Sequence, residues 1–134
     1  MIDIGNELYT YVRDRVKTLY PEVTFADEYQ GQQTFPICTF AIADNAINTY
    51  RIDSGNVENA VNLLVEVNVY SNKVSGRKTE AKKIMNAVDD SMKIKGFTRT
   101  MCNSIPNLAD ATIYREIARY VATVDAKQNI YTRR

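Results

Sequence analysis

The chain has 134 residues, 45% of them apolar and 25% charged. That is the composition of an ordinary globule of one-domain size, which argues against disorder, collagen-like repeats and coiled-coil arrays. Seventeen Lys and Arg against sixteen Asp and Glu leave a formal charge of +1, so total charge draws the chain to neither a polyanion nor a membrane. Histidine is absent, and with it the commonest general base, the commonest metal ligand and the Ser/His and Cys/His nucleophilic pairs; the composition leans away from an enzyme, and no cofactor or metal is expected.

Met1-Ile2-Asp3 opens the sequence without the basic and apolar segments of a secretory leader, and the longest nearly apolar stretch, residues 35–43, is about half a membrane span. A soluble chain with no membrane partner is expected. Ile4, Leu8, Val12, Val16 and Leu19 recur at helical spacing and predict an amphipathic helix over residues 3–19, with Asp3 as its N-cap and Tyr20-Pro21 as its end. A short extended piece, Val23 to Phe25, and a polar stretch, Asp27 to Thr34, lead to a buried strand from Ile37 to Ala43; Pro36 fits only at that strand's beginning. Residues 46–69 read as a β-ribbon. Its parts are Ile47 to Ile52, the turn residues Asp53-Ser54-Gly55-Asn56, and a second arm in which Val61, Leu63, Val65, Val67 and Val69 alternate with Asn62, Glu66 and Asn68, giving one wet face.

Ser75 is a candidate cap for a second helix whose Ala81, Ile84, Met85, Val88 and Met92 form one apolar stripe, closed by Gly96, with Lys78, Lys82, Lys83, Lys93 and Lys95 outside the stripe. Phe97 to Ile105 alternates, Pro106 to Asp110 is a loop, and Thr112 to Asp125 is a long run with Ile113, Ile117 and Val121 on one face and Tyr114, Tyr120 and Val124 on the other. Helical periodicity competes there, but the β-branched and aromatic content favours a strand. Lys127 to Arg134 has no core pattern. The order α-β-β-β-α-β-β describes a single α+β domain over residues 1–125, two helices packed on one face of a mainly antiparallel sheet, followed by a C-terminal arm at 126–134.

Motifs that carry chemistry are few. Cys38 and Cys102 lack metal or disulfide-framework spacing and read as small buried residues. Gly76-Arg77-Lys78-Thr79 has the strand-to-helix context of a phosphate loop, but Arg77 interrupts the Gly-Lys-Thr triplet and Ser71 stands where the upstream glycine belongs, so it reads as a helix start. The adjacent pairs Asp27-Glu28 and Asp89-Asp90 point their carboxylates apart and read as solvated. Nine tyrosines, with Tyr114-Arg115 and Arg119-Tyr120 as the best pairs, raise stacking on a single-stranded nucleic acid. The same residue types suit protein interfaces, which makes Arg115, Arg119, Tyr131, Arg133 and Arg134 partner-binding candidates. Charge is uneven along the chain: residues 1–67 carry 4 basic and 10 acidic side chains, residues 68–134 carry 13 and 6. Either the folded globule is electrically two-faced, or the halves interleave and the asymmetry cancels.

Several strings resemble a known group. They are the first helix ending in Tyr20-Pro21; Phe35-Pro36-Ile37 leading to Asp44-Asn45; residues 64–71, Leu-Val-Glu-Val-Asn-Val-Tyr-Ser; Gly76-Arg77 before a helix with Ala81, Ile84, Val88 and Asp89; Gly96-Phe97; and Ile113-Tyr114-Arg115 through Arg119-Tyr120 to Asp125. Over about residues 4–125 the chain resembles the tail terminator and tail completion (head-tail joining) proteins of long-tailed bacteriophages and prophages. The resemblance implies a noncatalytic virion structural protein forming a homo-oligomeric ring, a hexamer matching the tail tube. Its partners would be other copies of itself, the major tail tube protein and a head-side connector, with DNA passing through unbound. Its place would be the head-proximal end of the tail, reached by assembly in the host cytoplasm. Another neck component, such as a stopper or adaptor, is the alternative within this class, and a small nucleic-acid-binding α+β module is the alternative outside it.

A ring of identical subunits needs two different, complementary patches, which an acidic and a basic half can supply. A lumen that passes DNA favours acidic or neutral lining, so Asp44, Asp53 and Glu58 are candidates for lumen or tube contact, or equally for a solvated loop. In the C-terminal arm, Ile130 and Tyr131 are candidate apolar anchors on a neighbour with Arg133 and Arg134 beyond them; a frayed terminus is the plain alternative.

Overall fold

The computed structural model describes residues 3–27, 34–47, 60–105, 112–125, 127 and 130–131. The first helix, α1 (Gly5–Leu19), buries Leu8, Val12 and Val16 along one stripe, as the spacing predicts. It starts later than expected. The Asp3 carboxylate accepts the Gly5 N–H at 2.7 Å, but Ile4 occupies the cap position, so Asp3 bonds the first turn from one residue outside the cap.

Then follow β1 (Thr24–Ala26), β2 (Ile37–Ile47), β3 (Ala60–Ser71), α2 (Arg77–Ile94), β4 (Thr98–Ile105), β5 (Tyr114–Asp125) and the two-residue β6 (Ile130–Tyr131). Ile47, assigned above to the first arm of a ribbon, is the last residue of β2, which pairs antiparallel with β3. The rest of that arm, its turn and the 106–110 loop lie outside the described residues.

Helix α2 is capped by Gly76 and not by Ser75. Gly76 sits at φ +84°, a left-handed conformation that a side chain resists, and no side chain bonds the first turn. The other end closes as its sequence predicts: Gly96, also at positive φ, donates to Lys93 O at 3.0 Å and Phe97 to Met92 O at 3.0 Å. These two bonds satisfy carbonyls the helix leaves open, while Phe97 and Met92 are both buried beside them.

The strands form one sheet in the order β1-β2-β3-β5-β4, with β6 alongside β5 beyond the end of β4. Only the β1–β2 pair is parallel, so the fold is α+β. Both helices lie on one face. There Cys38 and Phe40 of β2, Val61 to Val69 of β3 at alternate positions, and Ala118, Tyr120, Ala122 and Val124 of β5 join the helical stripes in one core. Tyr9 of α1 meets Phe25 and Phe40 edge-on, with ring centroids 6.1 and 5.9 Å apart. On the opposite face Ile37, Tyr70 and Ile113 form a second, small cluster with Phe35.

Sheet order also decides how the charges fall. The first half of the chain supplies β1, β2 and the first eight of the twelve residues of β3, and the second half supplies the rest of β3, β5, β4 and β6. Within the sheet the halves therefore lie side by side, while α2 of the second half packs against α1 and β3 of the first. Among the described residues, those before β3 carry six acidic and three basic side chains and those after it five acidic and eleven basic, the largest share of the latter on α2.

Candidate assembly surface

Strand register places the helix-free face in rows. One row reads Ile37, Tyr70, Arg115 and Ile105 from β2 to β4, another Ala41, Glu66, Arg119 and Met101, and another Asp44, Leu64, Val121 and Thr98. The two candidate arginines of β5 share this face but differ in state. Arg115 donates from Nε to Asn68 Oδ1 at 2.9 Å and lies 5.6 Å from the centroid of the Tyr70 ring, so it is tied into its own sheet. That bond explains why Asn68, expected on the wet face, is buried. Arg119 is exposed, directly opposite Glu66 on β3 and Met101 on β4. Asp44 is exposed near the end of β2. Asp53, Glu58, Arg133 and Arg134 lie outside the described residues.

Among the described residues, no further strand covers either edge of the sheet. On one side β1 pairs with β2 only as far as Thr39; beyond it Ala41, Ala43, Asp44 and Ala46 are exposed. An open hollow of about 530 Å³ lies there, lined by Asp3, Asn6, Tyr9, Asp27, Phe40 and Ile42 among others, between the first turn of α1 and the uncovered stretch of β2. On the other side β4 leaves Arg99, Thr100, Asn103 and Ser104 exposed. Each edge carries a register shift, at Ile42/Asp44 in β2 and at Arg99/Met101 in β4. Such bulges blunt an edge against indiscriminate strand addition.

The segment at 127–134 was expected to have no core of its own. Ile130 and Tyr131 instead form β6, paired to Val124 and Thr123 of β5. Ile130 packs against the main core and lines a recess of about 130 Å³ with Ile4, Glu7, Leu8 and Lys95. A two-residue strand on an edge finds partners locally that periodicity cannot register.

Two buried polar clusters went unread in the sequence. Asp89, expected in solvent beside Asp90, is buried; it accepts the Tyr120 hydroxyl at 3.0 Å and pairs with Lys93 at 2.9 Å and Arg99 at 3.4 Å. The inward face of α2 is wider than its apolar stripe and takes in Ala87, Asp89 and Ser91 as well, while Asp90 is exposed. Asp27 is exposed as expected, and Glu28 lies outside the described residues. Tyr120 itself is fully buried, so it offers no stacking surface to a nucleic acid, and burial pushes its hydroxyl pKa far up.

Glu116 is the second cluster's centre. It lies on the core side of β5 and accepts from Tyr114 at 2.6 Å, from the Cys102 thiol at 3.3 Å and from Lys82 at 3.3 Å. Burial pushes its carboxyl pKa up, but those three donors outweigh burial and hold it below the usual carboxylate range. Cys102 is half-buried, a correction to its expected burial, and burial followed by the Glu116 bond raises its thiol pKa. Cys38 is fully buried, and burial alone raises it. These arrangements fix α2 to the sheet and keep both thiols protonated. Among the described residues, no group of three or more Cys, Asp or Glu side chains is placed to hold a metal ion. No protein-family model matches the chain, and a search of curated proteins returned no match.

Proposed function

We propose that the protein is a structural, noncatalytic component of a phage or prophage tail, forming a ring that closes the head-proximal end of the tail tube and presents the surface for head joining. The reading starts from the sequence resemblance. The observation that carries it further is the uneven charge, the described residues before β3 being net acidic and those after it net basic. Two unlike, complementary patches on one subunit are what a heterologous ring interface requires. Exposed Arg119 and Asp44 stay in the role of contact residues; Arg115, already bonded to Asn68, supports the helix-free face from within.

The nucleic-acid reading draws less support, because Tyr120 is enclosed and the Tyr114 hydroxyl is bound to Glu116. The test is to add purified protein to tail tubes assembled without a terminator and to view them by negative-stain electron microscopy. Capped tubes of fixed length support the proposal. Tubes that keep elongating, with no density at their ends at saturating protein, refute it.

A further inference from the structure

We infer that neighbouring copies join edge to edge, the uncovered stretch of β2 (Ala41–Ile47) in one copy pairing antiparallel with β4 (Thr98–Ile105) of the next, so that the sheet runs on across the subunit boundary. The inference deepens the ring reading and rests on it.

Lengths agree first: among the described residues β1 leaves eight residues of β2 unpaired on that side, seven of them in the stretch Ala41–Ile47, and β4 offers eight. Direction agrees as well. From β2 through β3 and β5 to β4 every pairing is antiparallel, so β2 and β4 run in opposite senses. When a copy is repeated head to tail, the β4 of one and the β2 of the next meet antiparallel, and both keep their helices on the same face. No such match arises for β4 against β4 in this arrangement, which would turn one copy around.

Charge supplies the choice of occupant. Among the described residues, the β2 end carries Asp3, Asp27 and Asp44, all exposed, and no Lys or Arg on β1 or β2. On the β4 side, Arg119 of the adjacent β5 is exposed, Arg99 of β4 is exposed while paired with Asp89 of its own chain, and β4 carries no acidic residue. A second copy of this chain brings the complement of each edge with it. The bulges at both edges fit the same picture: they keep isolated copies from sticking indiscriminately and leave association to edges that match in length and charge.

Paired antiparallel strands bring opposite Cα atoms to about 4.5–5.5 Å, within the span of a disulfide. In a Cys102→Ser background, which leaves only the enclosed Cys38, Ala43→Cys and Thr100→Cys are placed together in one chain, and Asp44→Cys with Met101→Cys in a second chain tests the antiparallel register displaced by two residues. The chains are concentrated or bound to tail tubes, oxidised mildly and run on a non-reducing gel, with native mass spectrometry reporting assembly in parallel. The expected result is a covalent ladder reaching the size of the ring from at least one pair, at least tenfold stronger than from a control that pairs Ala43→Cys with Asn86→Cys on the exposed side of α2. Each single variant alone should give no ladder. Rings that assemble but stay uncrosslinked in both pairs overturn edge pairing and leave the ring reading standing. Dimers from Thr100→Cys alone overturn it in favour of a two-fold contact. Absence of any oligomer, in solution or on tubes, overturns both.

Discussion

Replacing Tyr120 with Phe removes one atom from the centre of the molecule and tests how α2 is held. Tyr120 is fully buried, and its hydroxyl donates to Asp89 Oδ1 at 3.0 Å. A hydrogen bond to a charged group contributes about 1.5–3 kcal/mol. Phe keeps the ring and its packing, and Asp89 keeps Lys93 at 2.9 Å and Arg99 at 3.4 Å, so no bare buried charge is left behind. The expected cost is therefore in the lower part of that range, about 2 kcal/mol. In urea, with a slope of about 2 kcal/mol per molar, the midpoint should fall by ~1 M with the slope unchanged. Combining the change with Asp89→Asn should give less than the sum of the two single effects, because both remove the same bond. A midpoint shift below about 0.3 M, or full additivity with Asp89→Asn, would show that the bond carries little and that the reasoning about this cluster is wrong.

Other expectations are simpler to state. Glu116 titrates below its ordinary value of 4.5 in the folded chain, so its contribution is present above that pH and is lost as pH falls through the lower folded value; thermal unfolding followed from pH 7 to pH 3 should fall more steeply for the wild type than for Glu116→Gln. The same substitution should speed alkylation of Cys102 by iodoacetamide at pH 8, read by mass spectrometry, and leave Cys38 protected, since the carboxylate disfavours the Cys102 thiolate whereas burial alone disfavours that of Cys38. Gly76→Ala should cost about 1–2 kcal/mol in denaturant unfolding, from backbone strain alone, because a Cβ at Gly76 meets nothing within 4 Å.

Periodicity made the layers legible. The stripes of α1 and α2 and the alternation at 61–69 all face the core as read, because burying a continuous apolar face is what selects those elements. The helix starts were harder to place: Ser75 has the chemistry of a cap, yet the turn before α2 demanded a left-handed residue one position later. Glu116 and Asp89 were missed because charged residues beside apolar ones in sequence normally face water, and only the tertiary fold brings Tyr114, Cys102 and Lys82 to the first, and Tyr120 and Arg99 to the second. The placement of the two charged halves was equally out of reach, since composition gives their sum and strand order gives their places in the sheet.

The imbalance between the described residues before β3 and those after it gives them a dipole with a component along the sheet's hydrogen-bonding direction. From β1 to β4 there are four strand spacings of about 4.8 Å each, ~19 Å in all, so the two poles are further apart than the ~10 Å over which 0.1 M salt screens a charge. Each pole therefore acts on its surroundings separately. Two such molecules approaching in dilute buffer turn head to tail before they touch, and added salt slows that orientation. In a straight row the vectors add with every member, so the growing end keeps attracting more. Around a closed circle, the arrangement proposed above, they would cancel.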